Sequence, residues 1–151
     1  MFSACARPWR KPCFNFPYVG GIRVFPSKKS LYQKKGGKPV HYSFEVQGQA
    51  LITKLQGELD LHTSPEFKET LTNLLDTHPN VKHLIMHVKG LTFVDSSGLG
   101  VILGRYRELQ ERGGQLFFVQ PNPQIKRILQ MSGFQKISEF ANSTSEILER
   151  I

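Results

Sequence analysis

Ser96 and Ser97 follow an aspartate and precede three glycines in the run Phe93 to Tyr106, FVDSSGLGVILGRY. Hydroxyls set among small residues are the groups of this chain best placed to do chemistry. A serine there can cap a helix, attack as a nucleophile or accept a phosphoryl group. The nucleophile reading fails on its motif. A hydrolase elbow needs glycine two residues before the serine and another two after; Gly98 supplies the second for Ser96, but position 94 is valine. Five scattered histidines imply no Ser-His-Asp arrangement. A nucleotide loop fails as well, because Gly98, Gly100 and Gly104 match neither G-x-G-x-x-G nor a P-loop. They read as small residues that let a helix approach a sheet closely, at about 1 kcal/mol each in helix propensity. His83 and His87 would lie about 13 Å apart along a strand. Asp60 and His62 flank a turn without metal-ligand spacing. The expectation is a chain with no catalytic residues, no cofactor and no metal centre.

The elements around the serines must turn a strand into a helix at this point. Leu84, Ile85, Met86 and Val88 suit a buried parallel strand over 84–88. Leu99, Ile102, Leu103, Tyr106 and Leu109 recur at helical spacing and give one apolar stripe. Asp95 and Ser96 stand at the helix start, where unpaired N–H groups favour an oxygen-bearing side chain or a phosphate. Earlier, Phe44 and Val46 and the run Ala50 to Leu55 read as two edge strands joined near Gly48. Thr63-Ser64-Pro65-Glu66 opens a helix by hydroxyl cap, proline and early glutamate. Its apolar face is Phe67, Leu71, Leu74 and Leu75, and His78-Pro79-Asn80 ends it. Later, Gly113-Gly114 turns into a strand over 116–119, Asn122-Pro123 starts a third helix that Gly133 ends, a short strand spans 137–140, and Ser143 caps a last helix. Helices between strands imply right-handed crossovers. The fold class is therefore α/β, with a mixed, largely parallel sheet of four to five strands and about four helices. Sites in such sheets lie beyond the carboxyl ends of strands. The Asp95-Ser96 turn lies there, and the turn after the strand ending near Leu59 is its candidate neighbour.

A length of 151 residues with 39% hydrophobic content gives room for one domain with a sizeable core. The formal charge of +8 points to nucleic acid only superficially. Residues 1–39 hold nine of the twenty Lys and Arg and none of the twelve acids, so the remainder carries eleven basic against twelve acidic residues, a charge of −1. A basic face for phosphate backbones is not expected on it. No run approaches the roughly 18 apolar residues of a membrane helix, and Pro8, Pro12, Pro17 and Gly20-Gly21 interrupt any signal-peptide core. Cys5 and Cys13 both lie in the leader, so no disulfide framework is implied and a reducing cytoplasm is the simplest compartment.

The boundary is placed at 39/40, with residues 40–151 as the domain. The leader admits three readings: a disordered basic tail, an Arg-rich transit peptide, or sequence that is not normally translated. The third is favoured, since Lys34-Lys35-Gly36-Gly37 can be encoded by a ribosome-binding sequence and Val40 by a GTG start codon. A tail that binds anionic surfaces by charge alone is the next reading.

The turn closely resembles the phosphorylation loop of STAS-domain anti-sigma factor antagonists, most of all the branch acting on the anti-sigma F factor in endospore-forming bacteria. Gly57-Glu58-Leu59-Asp60-Leu61-His62-Thr63 is similar to the family's Gly-Glu-Leu-Asp turn, Gly113-Gly114-Gln115-Leu116 to its next strand entry, and PQIKRILQMSGF from Pro123 to its third helix. The likeness covers roughly Tyr42 to Phe140. It implies a non-catalytic, STAS-like switch with Ser96 as phosphoacceptor and Glu58, Asp60, Asp95, Ser96, Ser97 and Gly98 as the partner-binding set. Asp95 has two readings, a helix cap or part of an acidic surface with Asp60 and Glu58. Ser97 is expected to pack as a polar residue between helix and sheet. The implied partners are an anti-sigma factor with serine kinase activity, which supplies the ATP, and a serine phosphatase, with no nucleic acid and no membrane. An antagonist in a general-stress sigma pathway is the alternative within the family, and a small nucleotide-binding enzyme the one outside it.

Overall fold

The structure, a computed structural model, describes residues 40–151 and the backbone of two short strands, Tyr18–Val19 and Ile22–Phe25. The readings of the leader and of Cys5 and Cys13 otherwise fall outside the described residues. The strands in chain order are β1 (Tyr18–Val19), β2 (Ile22–Phe25), β3 (His41–Gln47), β4 (Ala50–Leu59), β5 (His83–Val94), β6 (Leu116–Val119) and β7 (Ser138–Ala141). The helices are α1 (Ser64–Thr77), α2 (Ser96–Glu111), α3 (Pro123–Met131) and α4 (Thr144–Leu148). Spatial order in the sheet equals chain order. The pairs from β1 to β4 are antiparallel and those from β4 to β7 parallel. The five strands β3 to β7 and four helices make the mixed sheet expected from the sequence; β1 and β2 add two strands at the β3 edge.

This order explains the layering. Each parallel step moves one strand in the same direction, so right-handed crossovers bring α1, α2 and α3 onto one face. Their buried residues Phe67, Leu71, Leu75, Ile102, Leu109, Ile125 and Leu129 share one cluster with Leu51, Leu55, Leu84 and Met86. Ile147 of α4 covers the opposite face with Ile52, Ile85 and Phe117. A two-residue turn at Gly48 (φ 59°) joins β3 and β4, as expected, but neither is an edge strand, because β2 pairs with β3 and β5 with β4.

Four local expectations are corrected. β5 runs six residues past position 88, to Val94, because the ten-residue β4 keeps pairing beside it through two register shifts. Thr63 precedes α1 but makes no side-chain cap: its Oγ1 turns back to accept from the Asp60 N–H at 2.8 Å and to donate to the Glu58 carbonyl at 3.1 Å. On α2, Val101 is buried although the predicted stripe omits it. Of the three glycines expected to allow close packing, only Gly98 does so; a Cβ there would meet Val94 Cγ2 at 2.8 Å and Leu59 Cγ at 2.9 Å, whereas Gly100 and Gly104 face open space.

Candidate functional site

The carboxyl ends of β4 and β5 lie side by side, with Leu59 opposite Val94. Each strand then turns into a helix, and the two turns are bonded to each other. The Asp95 N–H donates to the Leu59 carbonyl at 3.2 Å. In return, the Leu61 N–H donates to Asp95 Oδ2 at 2.9 Å. The second oxygen of the same carboxylate caps α2, since Oδ1 accepts from the N–H groups of Ser97 (2.8 Å) and Gly98 (3.0 Å). Asp95 has the extended backbone a cap requires (φ −103°, ψ −175°). One side chain thus satisfies three donors and joins two turns.

Asp60 organises the first turn in a similar way. Its Oδ1 accepts from the N–H groups of His62 (2.8 Å) and Thr63 (3.0 Å). Burial pushes this carboxyl up, but the hydrogen bonds from Thr63 and His62 outweigh it and hold the group below the ordinary aspartate value. It stays ionised at neutral pH.

Ser96 is exposed at the first position of α2 and takes no part in the cap. Ser97 is half-buried and lines a shallow groove between α1 and α2 with Lys68, Gly100, Val101, Gly104 and Arg105. Gly98 is buried against Leu59 and Val94, so it shapes the turn rather than presenting a surface. Glu58 is half-buried on β4 opposite Phe93. All six residues singled out in the sequence therefore gather at one end of the sheet, but they divide into a scaffold (Asp95 and Gly98) and accessible groups.

Two residues at this end carry no signal in the sequence: Leu61 and Phe93, large apolar side chains that the structure leaves exposed. The available signal was position, since each sits within two residues of a motif acid. His83 and His87 lie along β5, and burial, with Lys82 at the first and Lys54 and Lys89 at the second, holds both below the ordinary imidazole value. Among the described residues, no group of three His, Cys, Asp or Glu is placed to hold a metal, and no helix is long and apolar enough to cross a membrane.

A family model described as the STAS domain matches residues 41–147. The chain is 42% identical over 87 residues to the anti-sigma F factor antagonist of Paenibacillus polymyxa, covering 58% of this chain and 74% of that one. Among solved structures it resembles the anti-sigma factor antagonist SpoIIAA in its unphosphorylated form, at TM-score 0.64 and 29% identity over 72% of this chain and 94% of that one. The phosphorylated form of SpoIIAA, the Bacillus cell fate determinant, is similar at TM-score 0.59 and 29% identity, over 72% and 97% of the two chains.

Proposed function

We propose, because this chain belongs to the STAS domain family, that it is a non-catalytic anti-sigma factor antagonist switched by phosphorylation of Ser96. Unphosphorylated, it binds an anti-sigma factor that is also an ATP-dependent serine kinase and so frees a sigma factor. Phosphorylated, it dissociates, and a serine phosphatase resets it in the cytoplasm. The sporulation branch is favoured by the 42% identity to an anti-sigma F factor antagonist. The function is assigned to residues 40–151, in keeping with a family match that begins at 41.

The observation that carries this reading is the division of roles between neighbours. Asp95 caps α2, which leaves the exposed Ser96 hydroxyl free to be modified without loss of the cap. A phosphate there adds about −1.5 to −2 charges at neutral pH, and the positive end of the helix accommodates them within the domain. At a docked interface the same group meets exclusion and like-charge repulsion worth several kcal/mol. Shifting a complex from 99% to 1% occupied takes about 5.5 kcal/mol, within reach of one phosphate in a tight interface.

The test is a kinase reaction with the purified anti-sigma F factor and ATP, followed by intact mass and fragment mapping. One phosphate on Ser96 is expected, and calorimetric titration should show weaker binding of the phosphoprotein. A phosphate mainly on Ser97, or one that survives in Ser96→Ala, overturns the assignment.

A further inference from the structure

We infer that Leu61 and Phe93 are the apolar anchors by which this domain docks its kinase partner at the Ser96 turn. The inference rests on the reading of Ser96 as phosphoacceptor and adds the surface that recognises the enzyme. Leu61 is 61% exposed and Phe93 43%, two of only four large hydrophobic side chains exposed among the described residues. Their positions are fixed by the two turns. The Leu61 backbone is bonded to the Asp95 carboxylate, and Phe93 precedes Asp95 by two residues of extended chain, about 7 Å. A kinase docked on these two turns to reach the Ser96 hydroxyl meets both.

The acids alone do not make this contact. Asp95 spends both carboxylate oxygens on the backbone donors of Leu61, Ser97 and Gly98. Asp60 uses Oδ1 on its own turn and keeps Oδ2, and Glu58 stands beside Phe93. The exposed surface is an apolar pair with an acidic rim. Stable interfaces have this layout, in which a few large side chains enter desolvated pockets and charged groups at the rim steer and align. The complementary occupant is a kinase face with an apolar pocket bordered by Lys or Arg.

The experiment measures Leu61→Ser, Phe93→Ser and, as a control, Met131→Ser, whose side chain is 78% exposed at the end of α3. Each is titrated calorimetrically with the purified anti-sigma F factor, and phosphorylation is followed as kcat and KM separately. The two site variants are expected to bind about tenfold more weakly and to raise KM with kcat unchanged, while melting as the parent does; Met131→Ser should match the parent. Parent-like affinity and KM in both site variants overturns the docking role while leaving Ser96 phosphorylation intact. If the unaltered chain neither binds nor is phosphorylated, the functional reading fails first and this one with it. If sedimentation shows that the chain pairs with itself, and the serine variants abolish that pairing but not kinase binding, the patch is a self-association surface and the inference is wrong.

Discussion

The two ends of α2 solve the same problem in opposite ways. At its C-terminal end several side chains bond to one another and to α1. Arg112 donates to the Leu75 carbonyl in the last turn of α1 at 3.1 Å and pairs with Glu108 at 2.8 Å, while Arg105 also pairs with Glu108 and reaches Thr72. Gly114 follows so close to the Lys82 carbonyl that any side chain would overlap it. At the N-terminal end one carboxylate, Asp95, does the equivalent work. Its neighbour Ser96 is left exposed and uncommitted. Stability at one pole is spread over many groups; at the other it is concentrated in one residue so that the next can be free.

The largest expected effect tests the packed pole. Gly114→Ala places a Cβ against the backbone of Lys82 and is expected to destabilise by about 3 kcal/mol or more in urea unfolding. Gly100→Ala, in open space on α2, is expected to be neutral or to stabilise by up to about 1 kcal/mol. Similar midpoints for the two would break the contrast.

Asp95→Ala comes next. Losing the cap costs about 1–2 kcal/mol, and the Leu61 N–H loses its partner in the same step. Hydrogen exchange should quicken at Leu61, Ser97 and Gly98 together; quickening confined to α2 would mean that the two turns are independent.

Acidification provides a third, smaller test. His83 and His87 are held below the ordinary imidazole value, so the folded state resists their protonation more than the unfolded chain does. The stability they contribute is complete above about pH 6.5 and falls as pH drops through it. The depressed carboxyl of Asp60 acts with the same sign lower down, with its contribution complete above about pH 3.9 and lost as pH falls further. Urea midpoints from pH 8 to 5 should decline, and His83→Gln with His87→Gln should flatten that decline. An unchanged slope in the double variant would remove the histidines from the account.

The smallest effect is the most diagnostic. Ser96→Ala should change stability by no more than about 0.5 kcal/mol, because Ser96 is not the cap. A loss comparable to that of Asp95→Ala would return a structural role to the serine.

What the sequence made legible followed from local chemistry. Apolar periodicity marks α1, Asn122 and Ser143 cap α3 and α4 through their own side chains as expected, and the DSSG turn stands out because its small and oxygen-bearing residues interrupt an apolar pattern. What stayed hidden depends on partners distant in sequence. The outer half of β5 contains Lys89, Gly90 and Thr92, and only β4 alongside makes it a strand. Thr63 has the composition of a cap, but Asp60 and Glu58 claim its hydroxyl. Arg112 gives no local signal, because its partner is a carbonyl of α1, 37 residues earlier in the chain. Leu61 and Phe93 have no local mark, because exposure of an apolar residue is a property of the assembled surface.

The bond between the Leu61 N–H and the Asp95 carboxylate has a consequence for how an enzyme would recognise this serine. The groups around Ser96 come from two chain segments 34 residues apart, held in register by the domain. A synthetic peptide spanning Phe93 to Tyr106 has the serine and its flanking letters but lacks Leu61 and the scaffold that orders the turn. It would also have to pay about 1–2 kcal/mol per residue to adopt the bound shape. Such a peptide should be a poor substrate for an enzyme that modifies the folded domain well. The recognition code is then three-dimensional, and a linear consensus around the serine captures only part of it.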